Sequence, residues 1–224
     1  MKLSIIVPVL NEAQALPLLL ESLLPLVQGG CELIIADGGS DDGSPGIAQD
    51  AGCTVVRSAR GRARQMNAGA ARATGSALLF LHADTRLPEG AAVLIAQALA
   101  GGASRWGRFD VRIAGRPLML RVVACMMNLR SRLSGIATGD QAMFVSRAAF
   151  DAVGGFPDQP LMEDVELSKR LRALSHPACV DRCVSTSGRR WEARGVWRTI
   201  WLMWRLRWAY WRGVPAAQLA QAYR

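Results

Sequence analysis

Through the first two-thirds of the chain, short runs of Ile, Val and Leu alternate with longer stretches whose apolar residues recur at helical spacing. The runs at 4–8, 32–37, 54–57 and 77–82 have the length and composition of buried strands. The segments between them, at 14–27, 44–51 and 61–73, predict helices. Near-continuous apolar strands joined by helices predict a mainly parallel sheet covered on both faces, hence an α/β fold. Ligands of such a sheet bind beyond the carboxyl ends of its strands. The polar residues that follow each strand are therefore the candidates for chemistry.

Beyond residue 84 the pattern becomes mixed. Pro88, just ahead of 89–100, suits a helix start. Residues 105–113 alternate as a strand, 117–133 have amphipathic helical spacing, 141–146 predict a strand and 164–174 a helix. Residues 195–213 hold five tryptophans (197, 201, 204, 208 and 211) whose spacing places them on one helical stripe, with Arg198, Arg205 and Arg212 beside it. At least four arginines within this helix make it a poor transmembrane span. Aromatic bodies beside guanidinium heads suit the headgroup region of an anionic leaflet. The competing reading packs the helix onto the rest of the protein or into a dimer seam, with its tryptophans inward.

Charge sharpens this division. The 224 residues carry a formal net charge of +9, and the stretch 182–212 alone has eight arginines against the single acid Glu192. The chain reads as a domain over 1–190 with a tryptophan-rich extension over 191–224, and a basic tail on a near-neutral body points to an anionic membrane surface or another polyanion as its neighbour. No nucleic-acid-binding signature accompanies the charge. Five scattered cysteines without a CxxC pair read as reduced structural thiols. The apolar start is interrupted by Pro8 and ended by Asn11-Glu12, so it reads as a first strand rather than a signal peptide, and the expected compartment is cytoplasmic, at the inner face of the membrane.

The strand ends present a consistent set of polar groups. Pro8 to Glu12 follow the first strand, Asp37-Gly38-Gly39-Ser40 the second, and His82-Ala83-Asp84 the fourth. An aspartate there can accept hydrogen bonds from a ribose or a base, and glycines let backbone approach a ligand. Asp84, with His82 beside it, offers hard donors for a divalent cation against a diphosphate. Each piece alone has a plainer reading: Asp-Gly-Gly-Ser as a loop, Asp84 as a cap, Glu163-Asp164 as acids favoured at a helix N-terminus. Gly139-Asp140-Gln141 reads equally as a contact to acceptor or sugar and as a tight turn.

The segments Ser4-Ile-Ile-Val-Pro-Val-Leu-Asn-Glu12, Asp37-Gly-Gly-Ser-Asp-Asp-Gly43, Leu-Phe-Leu-His-Ala-Asp84 and Gly154-Gly-Phe156 followed by Glu163-Asp164 resemble, in order and spacing, the motifs of the inverting family-two glycosyltransferases. The resemblance covers about residues 3–174 and is strongest to short bacterial members with a His-Ala-Asp variant of Asp-x-Asp. It implies the GT-A fold with C-terminal amphipathic helices. It also implies that Pro8, Asn11, Glu12, Asp37, Gly38 and Ser40 line a nucleotide pocket. Arg62, Gln65, Asn67, His82 and Ala83 would stand near the donor, and Asp84 would bind manganese or magnesium. Asp164 would act as general base, with Glu163 as the alternative. Arg190 and Trp191 would touch the diphosphate or the acceptor. The chain has Ser187-Gly-Arg-Arg-Trp191 where processive relatives carry Gln-x-x-Arg-Trp, which argues for a non-processive enzyme.

The implied activity is transfer of a sugar from a nucleotide-diphosphate sugar to an unidentified acceptor, lipid or isoprenoid if the helix meets a membrane. A sugar-phosphate nucleotidyltransferase is the enzymatic alternative, but Pro8-Val-Leu-Asn-Glu12 is not its Gly-rich phosphate loop. A non-catalytic membrane-associated binding protein is the other, and it would have no need of Asp84 and Asp164.

Overall fold

The computed structural model describes residues 1–223. Its first strand, β1 (Leu3–Val9), is buried on both faces: Leu3, Ile5, Val7 and Val9 join one apolar cluster and Ile6 another. The chain continues through α1 (Leu16–Gln28), β2 (Glu32–Asp37), α2 (Ser44–Asp50), β3 (Thr54–Arg57), α3 (Arg62–Arg72) and β4 (Ala77–Phe80). β1 pairs in parallel with β2 on one side and β4 on the other, and β3 extends the parallel run from β2. The strands and helices expected from hydrophobic spacing are thus present, and their carboxyl ends share one edge.

The second half departs from parallel order. It comprises β5 (Thr85–Arg86), α4 (Ala91–Ala100), β6 (Trp106–Ala114), α5 (Met119–Ser134), β7 (Phe144–Ser146), α6 (Arg147–Ala152), α7 (Glu163–Arg172) and β8 (Ala178–Ser187). The sheet order is β3-β2-β1-β4-β7-β6-β8-β5, with β7 antiparallel to both β4 and β6. The strand expected at 141–146 begins only at Phe144, because Gly139–Gln141 form a 3₁₀ turn closed by a reciprocal Thr138–Gln141 capping box. β8 was not anticipated. Asp181-Arg182 interrupt its apolar pattern, and it is held by parallel pairing with β6 across a register shift at Phe109/Asp110.

α5 meets β6 through polar chemistry. The buried Arg108 donates to Ser131 and to Asp110, and Asp110 also pairs with Arg132. Asn128 donates its amide to the Val111 carbonyl and accepts from the Val111 N–H. Leu120 and Ala124 supply the apolar part of this inner face.

Three helices close the chain: α8 (Arg189–Arg194), α9 (Val196–Trp211) and α10 (Ala216–Tyr223). α9 packs through Leu206, with Leu202, Met203 and Tyr210, against Met162 and Val165, while Trp191 and Val196 rest on the main core. Its five tryptophans face away and are 60–78% exposed. The reading that put them in the interior is therefore corrected: the opposite face of the helix carries the packing. Among the described residues no helix is long and apolar enough to cross a membrane.

The junction of α3 with the sheet depends on one buried amide. Gln65 Nε2 donates to the Val9 carbonyl at 2.7 Å and to the Ala36 carbonyl at 2.9 Å, tying the ends of β1 and β2 together. Gly38 is needed beside it, since a Cβ there would lie 2.9 Å from the Gln65 amide carbon. Gln65→Leu is expected to destabilise the fold by roughly 1–3 kcal/mol, the cost of leaving buried polar groups without this partner. Equilibrium urea unfolding measures it, and an unchanged midpoint would show that the amide bonds contribute nothing net.

Candidate active site

Two loops at the sheet edge lock each other in place. Asp37 accepts the backbone N–H groups of Gly39 and Ser40, and the Ser40 hydroxyl accepts the Asn11 N–H. Asn11 returns its side-chain oxygen to the Asp41 N–H, and Ser44 accepts the Glu12 N–H while donating to Asp42. Asp37 and Ser40 thus border a cavity of about 290 Å³ whose other walls are Gly39, Pro45, Arg57 and Ser58. Arg57 and Ser58, at the end of β3, escaped the sequence reading, which singled out residues after the first, second and fourth strands only. The position of β3 beside β2 was the available signal.

A second, larger cavity of about 470 Å³ lies alongside. Of the residues singled out in the sequence, Pro8, Glu12, Arg62, Gln65, His82, Ala83, Asp84, Arg190 and Trp191 line it. Asn11 and Gly38 lie in the interlocked loops and outside both cavity linings, and Ser40 and Asp37 line only the smaller cavity. Asn67 is also off both walls. Its amide donates to the Phe156 carbonyl and accepts the Phe156 N–H, clipping α3 to the segment before α7. The larger cavity also gathers residues the sequence did not mark: Arg60, Thr186-Ser187, Arg194, Tyr223, and Thr199, Leu202 and Met203 from the inner side of α9. Only tertiary folding brings the C-terminal helices here. The phenol of Tyr223 accepts from Arg190, and its ring stacks on the guanidinium groups of Arg190 and Arg194.

The electrostatics are those of mixed charge held in a confined space. Burial pushes the Glu12 carboxyl up, and the negative charge of Asp84 adds to that. Burial also acts to raise Asp140, but its hydrogen bond to His82 and the nearby Arg62 and Arg190 outweigh this and hold it below its ordinary value. For Arg62, confinement works against the charge, and Glu163, Asp140, Tyr223 and Asp164 more than compensate, so the guanidinium stays charged. Among the described residues, no group of three or more His, Cys, Asp or Glu side chains forms a ready-made metal cage.

Asp140 belongs to the 3₁₀ turn and faces the larger cavity, bonded to His82 Nδ1 at 3.2 Å. The turn reading and the contact reading of Gly139-Asp140-Gln141 are thus compatible. Glu163 and Asp164, at the start of α7, do not line either cavity but stand within electrostatic reach of Arg62. Asp164 accepts the Gly139 N–H at 2.8 Å and the Val165 N–H at 2.7 Å. Burial nevertheless raises its pKa, and the charge on Asp140 pushes it the same way. Glu163 is raised by burial and by Asp164. Among the described residues the non-glycine positions with left-handed backbone are Asn11, Ala142 and Met162, and each adjoins a segment that shapes this region. Such backbone is costly and concentrates where a loop must hold a particular shape.

Gly139 supports the His82 ring closely: a Cβ at this position would lie 2.5 Å from both Cε1 and Nε2. Gly139→Ala is therefore expected to displace the ring from Asp140. With two histidines in the chain, and His176 exposed, proton NMR of the imidazole Cε1–H groups reads this directly. The His82 resonance should move while that of His176 stays, and two unmoved resonances would refute the contact.

Comparison with known proteins places this geometry. The model of the family described as "Glycosyl transferase family 2" matches residues 4–123. A "PGL/p-HBAD biosynthesis glycosyltransferase" of Mycobacterium bovis is 40% identical over 93 residues, covering 38% of this chain and 36% of that relative's length. Curated relatives of this kind are thus matched over about a third of their length. Among solved structures, the mannosyltransferase PcManGT from Pyrobaculum calidifontis, in complex with GDP-Man and Mn2+, superposes with a TM-score of 0.68 at 20% identity, over 93% of this chain and 61% of that one. S. aureus TarS in complex with UDP-GlcNAc gives 0.67 at 18% identity, over 84% and 58% of the two chains. Glucosyl-3-phosphoglycerate synthase from Mycobacterium tuberculosis gives 0.58 at 22% identity, over 81% and 70%. These likenesses establish the GT-A fold, and the family match covers more than half of the sequence. The chain belongs to glycosyl transferase family 2.

Proposed function

We propose that this protein transfers a sugar from a nucleoside-diphosphate sugar to an acceptor hydroxyl, with inversion at the anomeric carbon and without processivity. The observation that carries the reading is the pair of adjoining cavities at the carboxyl ends of the parallel strands. The smaller, with Asp37 and Ser40, suits a nucleoside. The larger sets Arg62 and Arg190 among Glu12, Asp84 and Asp140, a charge pattern suited to a diphosphate with a counter-cation. The complexes of PcManGT with GDP-Man and of TarS with UDP-GlcNAc, on the same fold, support a nucleotide-sugar donor.

The residues present fit a divalent cation brought in with its substrate. Glu12 and Asp84 repel one another in a partly buried space, which a cation would relieve. Asp84 would hold it, a carboxylate oxygen being the donor that hard cations prefer. Bound manganese or magnesium would supply charge neutralisation at the leaving diphosphate. Arg62 and Arg190 orient the same diphosphate. The acceptor oxygen forms its bond to the anomeric carbon on the face opposite the sugar–diphosphate bond, which breaks with its electron pair leaving on the nucleoside diphosphate. The hydroxyl proton would pass to the Asp164 carboxylate, with Glu163 the alternative, both standing beside Arg62 of the cavity wall.

The 191–224 extension has two faces in this reading. Thr199, Leu202 and Met203 of α9 wall the larger cavity, and the exposed tryptophans rest on the inner face of the cell membrane. Arg205 lies over the Trp201 ring at 5.0 Å and Arg212 over Trp208 at 5.1 Å, so each cation is presented with its aromatic neighbour. A lipid acceptor would reach the cavity from that side.

Thermal-shift screening with UDP-, GDP- and dTDP-sugars in the presence of manganese should show stabilisation by the true donor. Asp164→Asn is expected to lower turnover by roughly 10²–10⁴-fold while the donor-induced shift is kept. A variant as active as the parent would remove Asp164 from the role of base. Because burial holds the Asp164 carboxyl above its ordinary value, the parent's rate should fall on acidification at a higher pH than a free aspartate would give. The base acts only when unprotonated, so below that pKa turnover declines with each further drop in pH. A pH–rate profile flat through the weakly acidic range would sink the assignment.

A further inference from the structure

α5 is apolar on its outer face as well as on part of its inner one. Its inner face meets β6 through Asn128, Ser131 and the buried Arg108, whereas its outer face is apolar. Leu118, at its N-cap, followed by Val122, Met126, Leu129 and Leu133, recurs at intervals of three and four. All five are exposed, Leu118 by 75% and Leu133 by 79%. Cys125 is exposed on the same stripe. A contiguous outward apolar stripe of this kind marks an interaction surface rather than ordinary scattered exposure.

Charge indicates what covers it. Residues 111–134 contain five arginines and no acid. Arg121 is exposed on one flank of the stripe and Arg112 and Arg116 are exposed just ahead of the helix, whereas Arg132 is held by Asp110 and Arg130 turns most of its guanidinium inward. An apolar stripe bordered by guanidinium groups matches an anionic leaflet, where acyl chains accept the stripe and lipid phosphates the arginines. The helix is also coupled to α9. Leu120 belongs to the core cluster on which Trp191 and Val196 rest, and Ile136, just past the end of α5, packs in the cluster of Leu202 and Leu206.

We propose that α5 is a second membrane-contact element, whose Leu118, Val122, Met126, Leu129 and Leu133 enter the headgroup region of an anionic leaflet together with the tryptophans of α9. The proposal rests on the membrane reading of α9. With both helices held by the leaflet, the protein would dock in one orientation, with the cavity fixed relative to the lipid surface.

The test uses the full chain and vesicles of phosphatidylcholine with about 30% phosphatidylglycerol, in the range where basic amphipathic helices bind. The parent should float with these vesicles and not with phosphatidylcholine alone. A V122S/M126S/L129S variant, altered only at exposed positions, should bind at least about tenfold more weakly and unfold at the parent's temperature. A W201S/W204S/W208S variant tests α9 separately. If the α5 variant floats like the parent while the α9 variant does not, the α5 proposal falls and the α9 reading stands. If the parent itself does not float, both fall. Should the α5 variant instead convert a dimer to a monomer in sedimentation with flotation unchanged, a second copy of the chain covers the stripe and the proposal is overturned. Cys125 gives a readout without substitution: anionic vesicles should slow its alkylation by a charged maleimide several-fold, with exposed Cys183 as reference. Equal protection of both thiols, or of neither, contradicts insertion of α5.

Discussion

Everything at the ligand edge follows from burying β1 on both faces between two parallel neighbours. Val9 and Asp37, the last residues of β1 and β2, are in register, while β4 ends at Phe80, level with Ile6, so the segment carrying His82 and Asp84 leaves the sheet beside the last residues of β1. Parallel strands need crossover helices, and those helices cover both faces, which keeps water from the sheet and leaves its carboxyl edge as the open side. Gln65, on α3, finishes this arrangement by binding the carbonyl of Val9, the last residue of β1, and that of Ala36, the last but one of β2. The loops carrying Glu12 and Asp37 then have a fixed platform from which to lock onto each other.

On that platform the site balances opposite charges instead of isolating one. Asp140 stays ionised because His82, Arg62 and Arg190 offset the effect of burial, and Arg62 stays charged because carboxylates surround it. Glu12, Glu163 and Asp164 are left on the other side of this balance, with their proton affinities raised. A region with both readily ionised and reluctantly ionised carboxylates can bind an anion, tolerate a cation and take up a proton, which are the three demands of displacing a diphosphate from a sugar.

The outer surface reads as a counterpart to the interior. Both α5 and α9 hold to the protein through one face and turn large apolar side chains outward between arginines. Hydrophobic burial cannot explain those residues within the chain itself, since the inner faces are already packed. On the proposed reading, the lipid surface that receives them also delivers the acceptor to a cavity whose wall is the other side of α9.

Much of this was legible along the chain because hydrophobic spacing is a local property. The parallel strands, the crossover helices and the residues after each strand end were all marked by runs and periods a few residues long. Glu12, Asp37, His82 and Asp84 were found because strand ends in such a sheet converge on one edge. What the sequence could not reveal depends on contacts between distant segments. β8 is a strand because β6 and β5 hold it, Asn67 is turned to Phe156 and away from the cavities, and Arg57, Tyr223 and Leu202 reach the site only once strands and terminal helices are placed. The tryptophan stripe was visible as a pattern, but periodicity says only that side chains share a face. Whether that face looks inward or outward is decided by which side of the helix finds a packed partner, and only the tertiary structure supplies that partner.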